Sequence, residues 1–293
     1  MEILLDVKRL QAEIEKDNLY EIFDIIDSVD DEPLELLIED YEGLNEILHK
    51  NMKKHGCLEL IGILDKQIYH KKHCLILDQE YYEEKKKVLL DKNDNEKEYA
   101  FSELLQDKKF ASKLQLCIIA KGEGKRFIDK KEDWKELLIL FANISMKEDS
   151  FANKIVQIYD SLVFDEEIAK SMKKLVAGLD IRRPEILYHL YCIEKEFPSI
   201  YVEERLGNVD AGKKFENICG IMCSPERKKE KRRLLTKVIG NDEIICEMHT
   251  KMKKYGGQKP DRIYFNPCVS QNVEFNGDCI KGKIFIYQIT KHI

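Results

Sequence analysis

With 293 residues, 43% of them hydrophobic and 35% charged, the chain has enough apolar matter for a sizeable core and too much for a disordered segment. A formal net charge of −6 excludes a uniformly basic nucleic-acid coat, and the longest apolar run, 137–142, is far too short to span a bilayer. Nine cysteines without a framework of spacings point to a reducing cytoplasm, and the N-terminus lacks the basic segment and cleavage site of a signal peptide.

The total charge hides a division. Residues 201–293 carry 18 Lys and Arg against 12 Asp and Glu, which leaves −12 on residues 1–200. That asymmetry predicts an acidic part that meets a protein partner and a basic part that meets RNA.

In chain order, apolar spacings of three and four predict helix after helix through residues 1–196, with no strand. The expected helices cover 3–14, a stretch opened by Pro33 and stopped at Gly56, 58–75, 80–90 before a polar break at 92–95, 101–120, a stretch from Asp133, 151–163 and 165–177. Pro184 is expected in the first turn of a last helix ending near Pro198. Asp78, Glu80, Glu83 and Glu84 precede three lysines and read as a charged helix face. The texture changes between Pro198 and Gly212, so the expected fold class is α+β. An acidic all-helical domain, 1–198, is followed by a small basic α/β domain with an antiparallel sheet, 199–293.

Ser224-Pro225 predicts the start of a basic helix that ends before Gly240. Its Arg227, Lys228, Lys231, Arg232 and Arg233 are candidate contacts to RNA phosphates, against the plainer reading of a solvated face. Beyond it come three runs rich in β-branched and aromatic residues, separated by Gly, Asn and Asp turns, which predict antiparallel strands. Side chains alternate faces along a strand, so Glu247, His249 and Lys251 share one face of the first run. Arg262, Tyr264 and Asn266 share a face of the second, and Gln288, Thr290 and His292 share a face of the third. Cleavage of RNA by its own 2′-hydroxyl needs a base, an acid and fixed positive charge for the phosphorane. His249 and His292 suit the first two roles. Lys251, Arg262 and Lys291 suit the third, and Tyr264 and Tyr287 are placed to orient or stack a base. No metal or cofactor is required. An exposed sheet with one polar face is the bland alternative.

This segment resembles the C-terminal hairpin of RelE-like bacterial toxins, in the group of barnase-, colicin- and RelE-type ribonucleases. The resemblance is carried by Arg262-Ile263-Tyr264-Phe265 and by the hydrophobic strand from Lys283 to His292. The segment also resembles the ends of bacterial proteins in which His-x-Lys and Arg-Ile-Tyr-Phe strands precede a Gly-His-Ile-Gly-Lys-His ending. Here that ending reads Tyr287-Gln288-Ile289-Thr290-Lys291-His292, so Gln288 stands at its first His. The resemblance implies a metal-independent endoribonuclease of toxin or anti-phage defence type. The alternative is a non-catalytic nucleic-acid-binding subunit of a multi-protein complex.

Two further patterns compete. Cys219, Cys223, Cys246 and His249 have finger-like zinc spacing, set against the ordinary burial of free cysteine. Arg183 and His189 resemble the Arg-x(4–6)-His motif of HEPN-type ribonucleases, set against a capping Arg and a partly buried His.

Overall fold

Short apolar runs organise the N-terminal part, and the first three are followed by acidic residues, Asp6, Glu39-Asp40 and Asp78. The computed structural model describes residues 2–15, 35–54, 57–66, 74–96, 101–106, 116–119, 127–128, 131–143 and 146–293. It divides into two units, Met1–Phe141 and Ala142–Ile293. In the first, β1 (Glu2–Leu5), α1 (Val7–Glu15), β2 (Glu35–Ile38), α2 (Tyr41–Lys50), α3 (Cys57–Asp65), β3 (Cys74–Ile76), α4 (Gln79–Glu96), α5 (Phe101–Gln106), β4 (Leu116–Ile119) and α6 (Lys131–Phe141) follow in order. The strands form a wholly parallel sheet, β3-β2-β1-β4. Asp40 caps α2 by accepting the Gly43 N–H at 2.8 Å, and Asp78 accepts that of Tyr81 at 2.9 Å as α4 begins. The Tyr82 hydroxyl donates to the Leu5 carbonyl at 2.8 Å, tying α4 to β1 over a core of Leu4, Leu37, Tyr82 and Leu89.

The mixed helix and strand content agrees with an α+β chain, but the expected all-helical N-terminal domain is corrected. A parallel strand buried on both faces is a short apolar run, and over three or four residues such a run has the same signature as one helical turn. Residues 3–14 are therefore β1 and α1, the described parts of 58–75 are α3 and β3, and β4 occupies the end of the expected helix 101–120. Pro33 and Gly56 lie outside the described residues. The polar stretch 92–95 does not interrupt α4.

The second unit contains α7 (Glu148–Ile158), β5 (Leu162–Phe164), α8 (Ile168–Met172), α9 (Leu179–Phe197), a π-helical turn (Pro198–Glu203) and α10 (Asn208–Cys219). Then follow β6 (Cys223–Pro225), α11 (Lys229–Leu234), β7 (Thr236–Ile239), β8 (Asp242–Ile245), β9 (Met248–Lys251) and β10 (Arg262–Asn266). The short strands β11 (Glu274–Phe275) and β12 (Asp278–Cys279) precede the last strand, β13 (Ile284–Thr290). Its main sheet runs β5-β13-β10-β9-β6, antiparallel except where β5 pairs with β13. The expected strands of the C-terminal stretch are thus β9, β10 and β13, side by side. Asn276 and Gly277, both at positive φ, make the tight turn between β11 and β12. Because β5 pairs with β13, residues 142–198 belong to this unit, and the division falls at Phe141/Ala142 instead of near 198. Ser224-Pro225 forms edge strand β6, where a proline is tolerated, so the basic helix starts later, at Lys229. Pro184 lies inside α9 and not in its first turn.

One face of the sheet packs on α9 and α10 through Phe197, Phe215 and Phe265, with ring centroids 4.8 and 5.0 Å apart. On that side the His189 Nδ1 lies 3.0 Å from Thr250 Oγ1, and Arg183 bonds the Asn143 carbonyl and Asp180. Both HEPN-like residues are buried scaffold. Asp261, fully buried, accepts from Arg182 Nε at 2.7 Å, Val176 N at 2.9 Å and Ala177 N at 3.5 Å. Among the described residues no helix is long and apolar enough to cross a membrane.

Removing Asp261 leaves buried Arg182 with Glu185, at 2.5 Å, as its one carboxylate among the described residues, and it orphans the Val176 and Ala177 N–H groups. Asp261→Ala should therefore destabilise the second unit by about 3–5 kcal/mol, read by chemical denaturation of the full chain. A loss under about 1 kcal/mol, the range of an exposed pair, would contradict this role.

Candidate nucleic-acid site on the β9-β10-β13 face

Register converts alternation into a site. Ser224, His249, Tyr264 and Gln288 are Cα partners across four strands, and Lys251, Arg262 and Thr290 are partners in the next row. Directly paired side chains share a face, so these seven lie together, and His292 follows just beyond the end of β13.

The His249 and Tyr264 rings lie 5.3 Å apart, centroid to centroid, and both are buried. His249 Nδ1 is 3.3 Å from the Glu247 carbonyl and Nε2 is 3.4 Å from Ser224 Oγ. A carbonyl only accepts, so Nδ1 carries the proton and Nε2 presents its lone pair. Arg262 is 8% exposed, yet its guanidinium is loosely held. It donates to the Tyr264 hydroxyl at 3.4 Å and faces Glu226 at 3.8 Å, while its Nε has no hydrogen-bond partner among the described residues. Lys231 Nζ stands 3.4 Å from His292 Nδ1 and donates to the Ile293 carbonyl, and the Ile293 N–H donates to the Tyr264 hydroxyl at 3.3 Å.

Positive charge dominates this cluster. Burial, then the Arg262 charge, pushes the His249 imidazole down to about 3. Burial and the charges of Arg262 and Lys231 lower His292. Burial lowers Lys231 as well, helped by Lys259, Arg262 and Lys228 against the pull of Glu226. Burial would raise Glu226, but the Lys228 N–H and the charges of Lys231, His249 and Arg262 outweigh it and hold the carboxylate below its ordinary range.

Some expected residues are placed elsewhere. Tyr287 falls at the β-bulge opposite Tyr264/Phe265 and packs on a separate small core that includes Cys246, Phe275 and Phe285. Alternation itself sets Tyr287 on the face opposite Gln288 and Thr290, so the expected base-stacking role is corrected. Tyr264 is fully buried, so it can orient a neighbour but cannot stack on a base. Lys291 is exposed past the strand end, with no hydrogen bond or ion pair to the cluster. Arg232 is engaged by the Glu226 carbonyl and the Glu247 carboxylate, each at 2.8 Å, whereas Arg227, Lys228 and Arg233 are exposed. Cys219 and Cys223 are free thiols, and Cys223 pairs with Thr250, one residue out of phase with His249. No group of three or more His, Cys, Asp or Glu able to hold a metal occurs among the described residues. Sequence reasoning missed Ser224 and Glu226. Their alternation around Pro225 was the available signal, masked because Ser-Pro-Glu also reads as a helix start.

Two buried imidazoles make the unit acid-sensitive. His189, lowered by burial and the Arg182 charge, and His249 both titrate at about 3 against an ordinary 6.5. Between those values the unfolded chain binds protons that the folded chain refuses. Stability is therefore full above the unfolded value and falls as the pH drops through the window, on the order of a few kcal/mol per histidine. His189→Gln, which can still bond Thr250, should flatten the pH dependence of the unfolding free energy. An unchanged slope would contradict the burial of a neutral His189.

Comparison with protein-family models, curated proteins and solved structures finds no match to the chain.

Proposed function

We propose that the β9-β10-β13 face binds an RNA phosphodiester and cleaves it without a metal. The observation that carries the reading is Arg262: a buried guanidinium, imperfectly satisfied, ringed by Lys231, His249 and His292. A cation left in that state is complementary to an anion that brings its own oxygens.

Neutral His249 accepts the 2′-hydroxyl proton at Nε2 as that oxygen attacks phosphorus, and the Glu247 carbonyl fixes its tautomer. Arg262 and Lys231 take up the charge of the phosphorane, while Tyr264 and Glu226 position Arg262. The bond from phosphorus to the 5′-oxygen breaks, and protonated His292 supplies the leaving oxygen with its proton. Burial and the surrounding cations keep His292 low in the absence of an anion. A bound phosphate offsets the cations and raises its pKa, which favours the protonated form that acts as the acid. The products are a 2′,3′-cyclic phosphate and a 5′-hydroxyl.

A binding role without cleavage is favoured by one observation. Gln288, which carries no transferable proton, sits in the row with His249 and Tyr264. The two readings separate by experiment. Purified protein should cleave RNA in excess EDTA, and His249→Ala or His292→Ala should lower the rate about a hundredfold or more. Arg262→Ala should cost at least as much, with thermal melts to check the fold. RNA binding without cleavage would select the non-catalytic reading, and activity lost in EDTA would contradict the mechanism.

A further inference from the structure

The loop joining β9 to β10, residues 252–261, leaves the sheet at Lys251 and returns at Arg262, which are direct register partners in the site. It therefore overhangs the same sheet end as His292 and Lys231. The loop is held, not loose. Met252 N donates to the Asp261 carbonyl at 3.0 Å, Lys253 N donates to Glu185 at 2.9 Å, and the Asp261 carboxylate is locked by Arg182. Gln258 N closes a turn onto the Tyr255 carbonyl at 3.0 Å, with Gly256 and Gly257 at φ 54° and 75°, where a side chain would be strained. That turn presents Tyr255, 46% exposed, at the tip.

Its composition is one-sided. From Met248 to Pro260 there are four lysines and no acid, and the first acid, Asp261, is buried and committed. Lys253, Lys254 and Lys259 are exposed, with no ion pair among the described residues. Across the site, Arg227, Lys228, Lys229 and Arg233 are also exposed and without an acid partner among the described residues.

We propose that this loop is a single-strand clamp, in which Tyr255 stacks on an unpaired base while Lys253, Lys254 and Lys259 hold phosphates flanking the one at Arg262. Lysines beside one exposed ring match the phosphates and bases of an unpaired strand, whereas a duplex of either helical form keeps its bases stacked away from such a ring. The inference rests on the nucleic-acid reading of the site and deepens it by naming the substrate class and the selecting residues.

The test is the equilibrium binding of a short fluorescent oligonucleotide, 2′-deoxy throughout so that the proposed chemistry cannot cut it. It is bound by the full chain as a single strand and as a duplex. The single strand should bind about tenfold more tightly. Tyr255→Ala should weaken single-strand binding about tenfold and Tyr255→Phe should restore it. Lys253→Ala with Lys254→Ala should reduce the slope of log Kd against log salt by about 1.4. Equal affinity for duplex, an unchanged slope, or indifference to Tyr255→Ala would overturn the clamp. So would phosphatidylserine vesicles that bind through the lysines and displace the oligonucleotide without needing Tyr255. Tyr255-dependent single-strand binding by a chain that leaves RNA intact would sink the catalytic reading and uphold the clamp.

Discussion

The buried carboxylate of Asp261 is the constraint on which the site depends. It takes the Arg182 Nε and two backbone N–H groups from the segment leading into α9, and its own carbonyl closes the β9-β10 connection by accepting from Met252. The next residue is Arg262. A charge with no solvent exposure is tolerated only when fully paired, so the strand that carries Arg262 cannot slip without leaving Asp261 unsatisfied. A one-residue slip would turn Arg262 and Tyr264 into the apolar layer against α9 and bring Ile263 and Phe265 out.

With register fixed, electrostatics follows from crowding. Arg262, Lys231, Lys251 and Lys259 approach two histidines, and the acids nearby are few. Glu226 stands 3.8 Å from Arg262, and Glu247 is spent on Arg232 and Asn208. Both imidazoles are depressed, His249 mainly by burial and His292 by burial and its cationic neighbours. A face whose cations outnumber its anions at short range, with a buried guanidinium not fully bonded, gains from a ligand carrying negative charge. The opposite side of the same sheet is apolar around Phe197, Phe215 and Phe265, and it supplies the rigidity that such a site needs.

Legibility in the sequence followed length and context. Strands β9, β10 and β13 were readable because runs that include β-branched and aromatic residues lie between turn signals, as Asn276-Gly277 illustrates. Their alternation also named the shared face of His249, Lys251, Arg262, Tyr264 and Gln288. The parallel sheet of the first unit was not readable. Leu36-Leu37-Ile38 has no polar partner face to reveal a strand, and tertiary burial on both sides alone decides it. Tyr287 was misplaced although alternation already sets it on the face opposite Gln288, Thr290 and His292, and the bulge that leaves it without a partner on β10 is announced by no local pattern. Ser224 and Glu226 were missed because Pro225 marks an edge strand and a helix start equally well.

The products of the proposed cleavage test the central claim most directly. RNA of defined sequence, incubated with the purified chain in EDTA, should yield fragments ending in 2′,3′-cyclic phosphate with 5′-hydroxyl partners, as attack by the neighbouring 2′-oxygen requires. Fragments with 5′-phosphate and 3′-hydroxyl ends would mean that water, and not the 2′-hydroxyl, is the nucleophile, and would contradict the roles assigned to His249 and His292.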